Sequence, residues 1–249
     1  MGKKFLFFLT FISGAFCIDY NKLFDEANDF FIKEDYEKSI EVYELIIESG
    51  QGNSTVFYNL GNSYYRLEDI GQAIWAYKNA NRLNPRDKDI IHNLKVAEAN
   101  KIDRINPPPL FIIHDFYRKL KSSVTIFELV LVGGILLFIL SGTLFLKRFS
   151  EKRNGLLHRI TQIILGLTII THLFITEMIF EQKKMTDEAI IIEKSEAQSG
   201  PFLGNNKVLF HINEGSVIEV LEEKNNWAEI ILIDGKQGWI LSSALRKMK

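Results

Sequence analysis

Three kinds of hydrophobic pattern follow one another along the chain. Residues 18–106 carry apolar positions at helical spacing, two nearly unbroken apolar runs follow at 129–146 and 160–180, and residues 186–249 hold short apolar runs between turn residues. Helical spacing predicts amphipathic helices, apolar runs of about 20 residues predict membrane-spanning helices, and short runs bounded by Gly, Asn and Asp predict strands. The expected fold is mixed and multidomain: all-α helical repeats, two transmembrane helices and a C-terminal all-β barrel.

The first residues have the composition of a secretory signal peptide. Two lysines precede an apolar run at residues 5–12, which is too short to span a bilayer, and three small residues follow it. We therefore expect a signal peptide over residues 1–17. The alternative, a lipoprotein acylated at Cys17, conflicts with Phe16, which stands where a small residue is expected.

The two long apolar runs predict transmembrane helices over residues 126–146 and 160–180, preceded by a linker at 107–125. The loop at 147–159 carries five Lys and Arg residues, and the positive-inside bias places it in the cytoplasm. Both flanks then lie outside, in agreement with the signal peptide. The predicted location is the bacterial inner membrane, with two passes and both soluble domains in the periplasm. Because two membrane passes separate these domains, little energetic coupling between them is expected.

An internal repeat of 34 residues lies within residues 18–106. Small residues at Gly61 and Ala73 mark the predicted crossing of two antiparallel helices, and Pro85 ends the second helix. The second copy resembles a tetratricopeptide (TPR) repeat. A third first helix is expected to start at Asp89 and to run through Ile105 as a capping helix. The residues at the repeat's signature positions are Gly61, Tyr64, Ala73, Tyr77, Ala80 and Pro85.

The resemblance implies a concave groove lined by the first helix of each repeat. TPR grooves that clamp a terminal carboxylate combine asparagines with cations, but the cation positions here hold Phe24, Asp89 and Asn93, so no such clamp is expected. Ten acidic residues against three basic ones between residues 18 and 52 favour a basic or polar partner, unless this face is merely solvated. The candidate partner-binding residues of the groove are Asn28, Tyr58, Asn59, Asn62, Tyr65, Arg66 and Asn93.

After the second apolar run the pattern changes to strands. Five are predicted, and the pair Asp234-Gly235 is typical of a tight hairpin. The segments EGSVIEVL and DGKQGWI resemble a bacterial SH3 domain, here expected over residues 186–249 as an SH3-like barrel. Trp227 and Trp239 are candidates to line a ligand groove; the alternative is that they close the barrel. The five strands are expected at 189–193, 208–212, 217–221, 227–233 and 238–241.

Composition narrows the range of functions. Lys and Arg number 30 against 31 Asp and Glu, so no overall basic field favours nucleic acid. Cys17 is the single cysteine, and the five histidines show no paired metal spacing. The sequence also lacks a Walker A loop and a GxSxG elbow. We therefore expect no enzyme activity, no catalytic residues, no cofactor and no metal.

The order of signal peptide, TPR repeats, two membrane helices and bacterial SH3 domain resembles the BatE-like proteins of the bacterial aerotolerance (Bat) group. That resemblance implies an envelope protein acting with von Willebrand A-type membrane proteins and a MoxR-type ATPase. The expected function is a non-enzymatic inner-membrane scaffold presenting two protein-binding modules to the periplasm. The alternative is a cell-wall-associated module, in which the SH3 domain docks peptidoglycan and the TPR region recruits a hydrolase.

Overall fold

The computed structural model describes residues 19–103, 116–117, 120–121, 123–149, 155–184, 187–202, 204 and 206–249. The signal peptide expected at residues 1–17 and most of the linker expected at 107–125 lie outside these residues. The described part of the chain contains seven α-helices and one antiparallel β-sheet.

Five helices form the N-terminal region, and each packs against the next one in sequence. Their start positions repeat: the side chains of Asp19, Asn53 and Asp87 cap the first helices at intervals of 34 residues, and Asp35 and Asp69 cap the second helices at the same interval. Each cap accepts backbone N–H groups that have no partner within the helix. The helices are α1 (Tyr20–Ile32), α2 (Tyr36–Glu48), α3 (Ser54–Arg66), α4 (Ile70–Leu83) and α5 (Lys88–Asn100).

Small residues allow these helices to approach one another closely. A Cβ atom at Gly61 would lie 2.6 Å from the ring of Tyr77, so α3 and α4 can cross at this distance only with glycine there. In the preceding helical pair the equivalent crossing places Ala27 against Ser39, whose hydroxyl donates to the Ala27 carbonyl oxygen at 3.0 Å. Both residues are fully buried. The crossings therefore repeat with the same interval as the helix caps.

The last helix of this region is shorter than the sequence predicts. The expected capping helix runs to Ile105, whereas α5 ends at Asn100 and Lys101 is extended, with φ −67° and ψ 147°. The physical reason is a contact made beyond the helix: the carboxylate of Asp103 accepts the backbone N–H of Asn213 at 2.7 Å and the hydroxyl of Ser216 at 3.3 Å. The chain leaves the helix to bind the C-terminal sheet.

The sheet has seven strands in the order β3-β2-β6-β5-β4-β1-β7, all antiparallel. The sequence predicts five strands; β2 and β7 are absent from that prediction because they are short and mostly polar. Positive φ at Asn225 and Gly235 closes the turns on either side of β5. The strands are β1 (Glu188–Ile191), β2 (Ser195–Gln198), β3 (Val208–Ile212), β4 (Val217–Lys224), β5 (Trp227–Leu232), β6 (Gln237–Leu241) and β7 (Leu245–Lys247).

Two long helices lie between the helical region and the sheet: α6 (Ile126–Phe149) and α7 (Gly155–Lys184). Both are long and apolar enough to span a membrane, with mean hydropathies of 2.6 and 2.0 over their apolar spans. They pack together, and a Cβ at Gly133 would lie 3.4 Å from the His172 ring. Both exceed the predicted bounds of 126–146 and 160–180, so the loop predicted at 147–159 is helical at both ends.

The start of α6 is joined to the helical region. Thr125 and Glu128 form a capping box, in which each side chain accepts the backbone N–H of the other residue, at 2.9 and 3.2 Å. The guanidinium of Arg86, just after α4, donates to both carboxylate oxygens of Glu128 at 2.6 and 2.7 Å and to the Ser123 carbonyl oxygen. The five-helix region is therefore held at one end of the apolar helix pair.

Candidate binding surfaces

The five-helix region and the sheet pack directly against each other. The ring of Trp75 is fully buried, and its Nε1–H donates to the carbonyl oxygen of Lys247 at 2.8 Å. Ile190 and Met248 are buried in the same apolar cluster as the helices. A Cβ at Gly71 would lie 2.9 Å from the Ile191 carbonyl oxygen. The expectation of little coupling between the two soluble regions is therefore wrong: the chain brings them together despite the 80 or so residues between them.

Arg246 in β7 is the most connected side chain of this docking interface. Its guanidinium donates to both carboxylate oxygens of Glu44 at 2.7 and 2.6 Å and to the Gln72 amide oxygen at 2.7 Å. It also stacks on Trp75, with 3.4 Å between its Cζ and the ring centroid. Arginine suits this position because Nη2 donates to the Glu44 carboxylate and Nη1 to Gln72, while the guanidinium face stacks on an aromatic ring. The Arg246 and Glu44 side chains are only 21% and 19% exposed.

Acidic side chains of the helical region interact with this cation. Burial raises the pKa of Asp69, which caps α4, and the guanidinium of Arg246 opposes that shift. Burial also raises the pKa of Glu214, and the neighbouring charge of Asp69 raises it further. Tyr64, whose hydroxyl donates to Glu44 at 2.8 Å, has its pKa raised mainly by burial and then by the Glu44 charge. Glu44 and Asp69 of the helical region thus act on Arg246, and Glu214, in the turn before β4, is coupled to Asp69.

The asparagines predicted to line a groove form two equivalent hydrogen-bonded sets. Asn28 Oδ1 accepts from the Tyr43 hydroxyl at 2.6 Å and from Asn59 Nδ2 at 3.1 Å. Thirty-four residues later, the same arrangement recurs around Asn62. We call the four residues Asn28, Asn59, Asn62 and Asn93 the amide ladder. In the second set, Asn62 Oδ1 accepts from the Tyr77 hydroxyl at 2.8 Å and from Asn93 Nδ2 at 3.0 Å.

These bonds change the role assigned to the ladder. The Oδ1 atoms of Asn28 and Asn62 each accept two hydrogen bonds, one from a tyrosine hydroxyl and one from another asparagine. These two residues therefore hold neighbouring side chains in place as well as facing the surface. Burial raises the pKa of Tyr43 to about 12, which keeps its hydroxyl a donor. Tyr58 and Tyr65 are half-buried and accept from Asn93 and Asn100 respectively. Arg66 is the most outward of the predicted residues, and it is exposed at the end of α3.

The two tryptophans that the sequence predicts together lie on the same face of β5 and β6, as diagonal neighbours with different surroundings. Trp227 is 7% exposed and forms part of a shallow groove of about 350 Å³. Trp239 is half-buried opposite Glu229 and Gln198, and it is not among the residues that line this groove. Sequence reasoning missed Ser195, Glu196 and Gln198 because β2 carries no apolar pattern, and it did not single out the other two lining residues. We call the surface lined by Lys194, Ser195, Glu196, Gln198, Trp227 and Leu241 the Trp227 groove.

A known protein family matches the sequence of most of the C-terminal sheet. The family model described as "Bacterial SH3 domain" matches residues 203–247, a range that holds β3 through β7. No curated protein matches the chain. The resemblance to a bacterial SH3 domain is thus confirmed for this C-terminal segment, and the class of binding module that it indicates is one for peptidoglycan or protein.

Proposed function

We propose that the chain is a non-enzymatic membrane scaffold, in which TPR-type repeats and an SH3-like domain form one binding unit at the outer face of the bacterial inner membrane. The observation that carries this proposal is the docking interface around Arg246 and Trp75. It joins two modules of binding-protein type into a single body. The helix caps at 34-residue intervals, together with Gly61 against Tyr77, support the TPR assignment.

The docking interface also bears on membrane topology. Two regions that pack against each other occupy the same side of a membrane, and α6 and α7 return the chain to that side by crossing it twice. Lys147 and Arg148 end α6 at the opposite side, where the positive-inside bias favours cytoplasm. The signal peptide predicted over residues 1–17 would direct the N-terminal region to the periplasm. A periplasmic binding unit is consistent with all three arguments.

The surface proposed to bind a partner is the face that carries the amide ladder. The contacts with the sheet that are described above come from α2, from α4 and from Asp103 after α5, and none of the four asparagines takes part in them. Tyr65 and Arg66 flank the ladder, and tyrosine and arginine are the side chains that most often anchor protein interfaces. As the Bat resemblance implies, the partner would be a von Willebrand A-type membrane protein, itself working with a MoxR-type ATPase.

The Trp227 groove supports a second function. It combines an aromatic floor with Lys194 and Glu196, charges of opposite sign that suit a zwitterionic peptide. Peptidoglycan stem peptides have this character. The family match to a bacterial SH3 domain favours the same reading, in which the SH3-like sheet docks the cell wall and the repeats recruit a hydrolase.

Two variants separate these functions, each confined to one surface. The first combines Tyr65→Ala with Arg66→Glu; Asn62 is left intact because its loss would remove the acceptor of the buried Tyr77 hydroxyl. The second is Leu241→Arg, which places a large cation in the Trp227 groove. The first variant is expected to lose co-purification of the von Willebrand A-type protein from detergent extracts, whereas Leu241→Arg retains it.

Each variant is the control for the other, and circular dichroism checks that both stay folded. The scaffold proposal fails if the Tyr65/Arg66 variant recovers the partner at the wild-type yield. If Leu241→Arg alone loses sedimentation with purified peptidoglycan, the cell-wall function gains support, and the Trp227 groove becomes the principal binding site.

A further inference from the structure

An open cavity lies where the five-helix region meets the first apolar helix. Its volume is about 570 Å³, and it is bounded by the end of α4, one face of α5 and the segment just before α6. We call it the α5 cavity. Its walls are partly apolar and partly charged, and they include Arg86, Ile91, Leu94, Lys95, Glu98 and Ser123. A concave site of this composition suits a small charged ligand that also has an apolar part.

The α5 cavity lies beside the start of a membrane-spanning segment. Arg86, in its wall, donates to both carboxylate oxygens of Glu128 at 2.6 and 2.7 Å. Glu128 stands in the first turn of α6, and the uncharged apolar run of that helix starts at the next residue, Leu129. Lipid headgroups lie at the ends of such a span. In a bilayer that α6 crosses, headgroups therefore lie within a side chain's length of the cavity.

The charge of the five-helix region changes sign along the stack, and its basic end is the one beside α6. Residues 18–52 carry ten acidic residues against three basic ones, whereas residues 78–101 carry six Lys and Arg against three Asp and Glu. Basic surfaces next to membrane helices attract the phosphate groups of lipids. This distribution favours contact between the bilayer surface and the end of the stack that holds the α5 cavity.

Two charges of the α5 cavity remain available to a ligand. Arg86 is paired with Glu128, but neither Lys95 nor Glu98 makes an ion pair within the part of the chain that the structure describes. They lie three residues apart on α5, a spacing that makes side chains neighbours on a helix surface. A cation and a carboxylate side by side match a ligand in which a phosphate group and an ammonium group are two carbons apart.

We propose that the α5 cavity binds the headgroup of a phosphatidylethanolamine-type phospholipid, with the phosphate at Lys95 and the ammonium at Glu98. Ile91 and Leu94 would contact the glycerol and the first acyl carbons, and the acyl chains would enter the bilayer beside α6. This assignment rests on the membrane location in the proposed function. A membrane supplies this ligand at high effective concentration, so weak contacts suffice to fill the site. The bound lipid would hold the basic end of the repeats against the bilayer.

Native mass spectrometry of the detergent-solubilised full chain tests the site, with phosphatidylethanolamine and phosphatidylglycerol as separate probes. The wild type is expected to bind the ethanolamine lipid more tightly, because only that lipid offers an ammonium group to Glu98. Lys95→Ala should weaken the binding of both lipids by about two- to fivefold, the size of an exposed ion pair. Glu98→Gln should remove the preference without weakening the binding of phosphatidylglycerol.

Two control variants change the same charges on the same helix outside the cavity. Lys88→Ala and Asp89→Asn lie in the first turn of α5, are exposed and do not line the α5 cavity, so both should bind the two lipids as the wild type does. The proposal is overturned if Lys95→Ala and Glu98→Gln cannot be distinguished from these controls.

Glycerophosphoethanolamine, the same headgroup without acyl chains, is the competing probe. It should not displace the lipid at equal concentration, and equal competition would make a soluble phosphate compound the ligand and overturn the proposal. A chain that stays in solution without detergent would contradict the membrane location and with it the proposed function. A chain that requires detergent but shows no lipid preference overturns the lipid site alone.

Discussion

Replacing Arg246 by alanine is expected to separate the five-helix region from the sheet. The substitution leaves the mostly buried Glu44 carboxylate without its cationic partner and removes the cation stacked on Trp75. Breaking a buried ion pair from one side typically costs about 3–5 kcal/mol, because the remaining charge is desolvated and unpaired. Hydrogen exchange of the detergent-solubilised chain is the measurement: backbone amides of α4 and β7 should exchange faster together.

Two controls sharpen this prediction. Arg66→Ala removes the same charge from an exposed site, so it should leave exchange in α4 and β7 unchanged. Arg246→Lys keeps the charge but loses the planar guanidinium and its stacking face. Its exchange rates in α4 and β7 should therefore lie between those of the wild type and of Arg246→Ala. If the backbone amides of α4 and β7 exchange at the same rate in Arg246→Ala and in Arg66→Ala, then the docking interface does not depend on Arg246.

Gly61→Leu is expected to destabilise both soluble regions, although the substituted residue lies in only one of them. Even a Cβ atom at this position would stand 2.6 Å from the Tyr77 ring, so leucine must push α3 and α4 apart. Overpacking of this kind typically costs about 1–3 kcal/mol, and more where the backbone must move. Because α4 carries Trp75 and Ile74 into the contact with the sheet, its displacement removes the support of β7.

Limited proteolysis reports on both regions at once. The variant should lose the protease resistance of residues 19–103 and also that of residues 187–249. Gly134→Leu is a suitable control, since a Cβ there meets no atom within 4 Å. A sheet that stays fully resistant while the helices are digested would show that the two regions are independent.

Local sequence patterns predict most of the architecture. The 34-residue interval, the long apolar runs and the turn residues predict the helices and the sheet, because each of these features acts over a few neighbouring residues. The end of α5 was not predictable in this way: the helical pattern continues through Ile105, whereas Asp103 binds Asn213 and Ser216 more than 100 residues away. Strands β2 and β7 were not predictable for the same reason, because their pairing with neighbouring strands of the sheet defines them.

The docking interface had no signal in the sequence. Glu44, Gln72 and Arg246 are ordinary polar residues on their own elements, and only tertiary structure brings Glu44 and Gln72 within 2.7 Å of the Arg246 guanidinium. Sequence reasoning named the asparagines of the amide ladder as groove candidates, which stays a prediction, but it could not show that the side-chain oxygens of Asn28 and Asn62 accept hydrogen bonds from buried tyrosines. It also grouped Trp227 with Trp239, and the register of β5 and β6 places both on one face of the sheet, although Trp239 does not line the Trp227 groove.

The central claim is that the repeats and the SH3-like sheet form one unit on the outer side of a membrane. Labelling by an impermeant maleimide in intact spheroplasts tests it most directly, with Cys17 replaced by serine and single cysteines at three exposed positions. These are Ser49 after α2, Ser243 before β7 and Gly155 at the start of α7. The claim predicts that Ser49→Cys and Ser243→Cys are labelled in intact spheroplasts, and that Gly155→Cys is labelled only after lysis. Labelling of Ser49→Cys or Ser243→Cys with protection of the other would place the two regions on opposite sides of the membrane and contradict it.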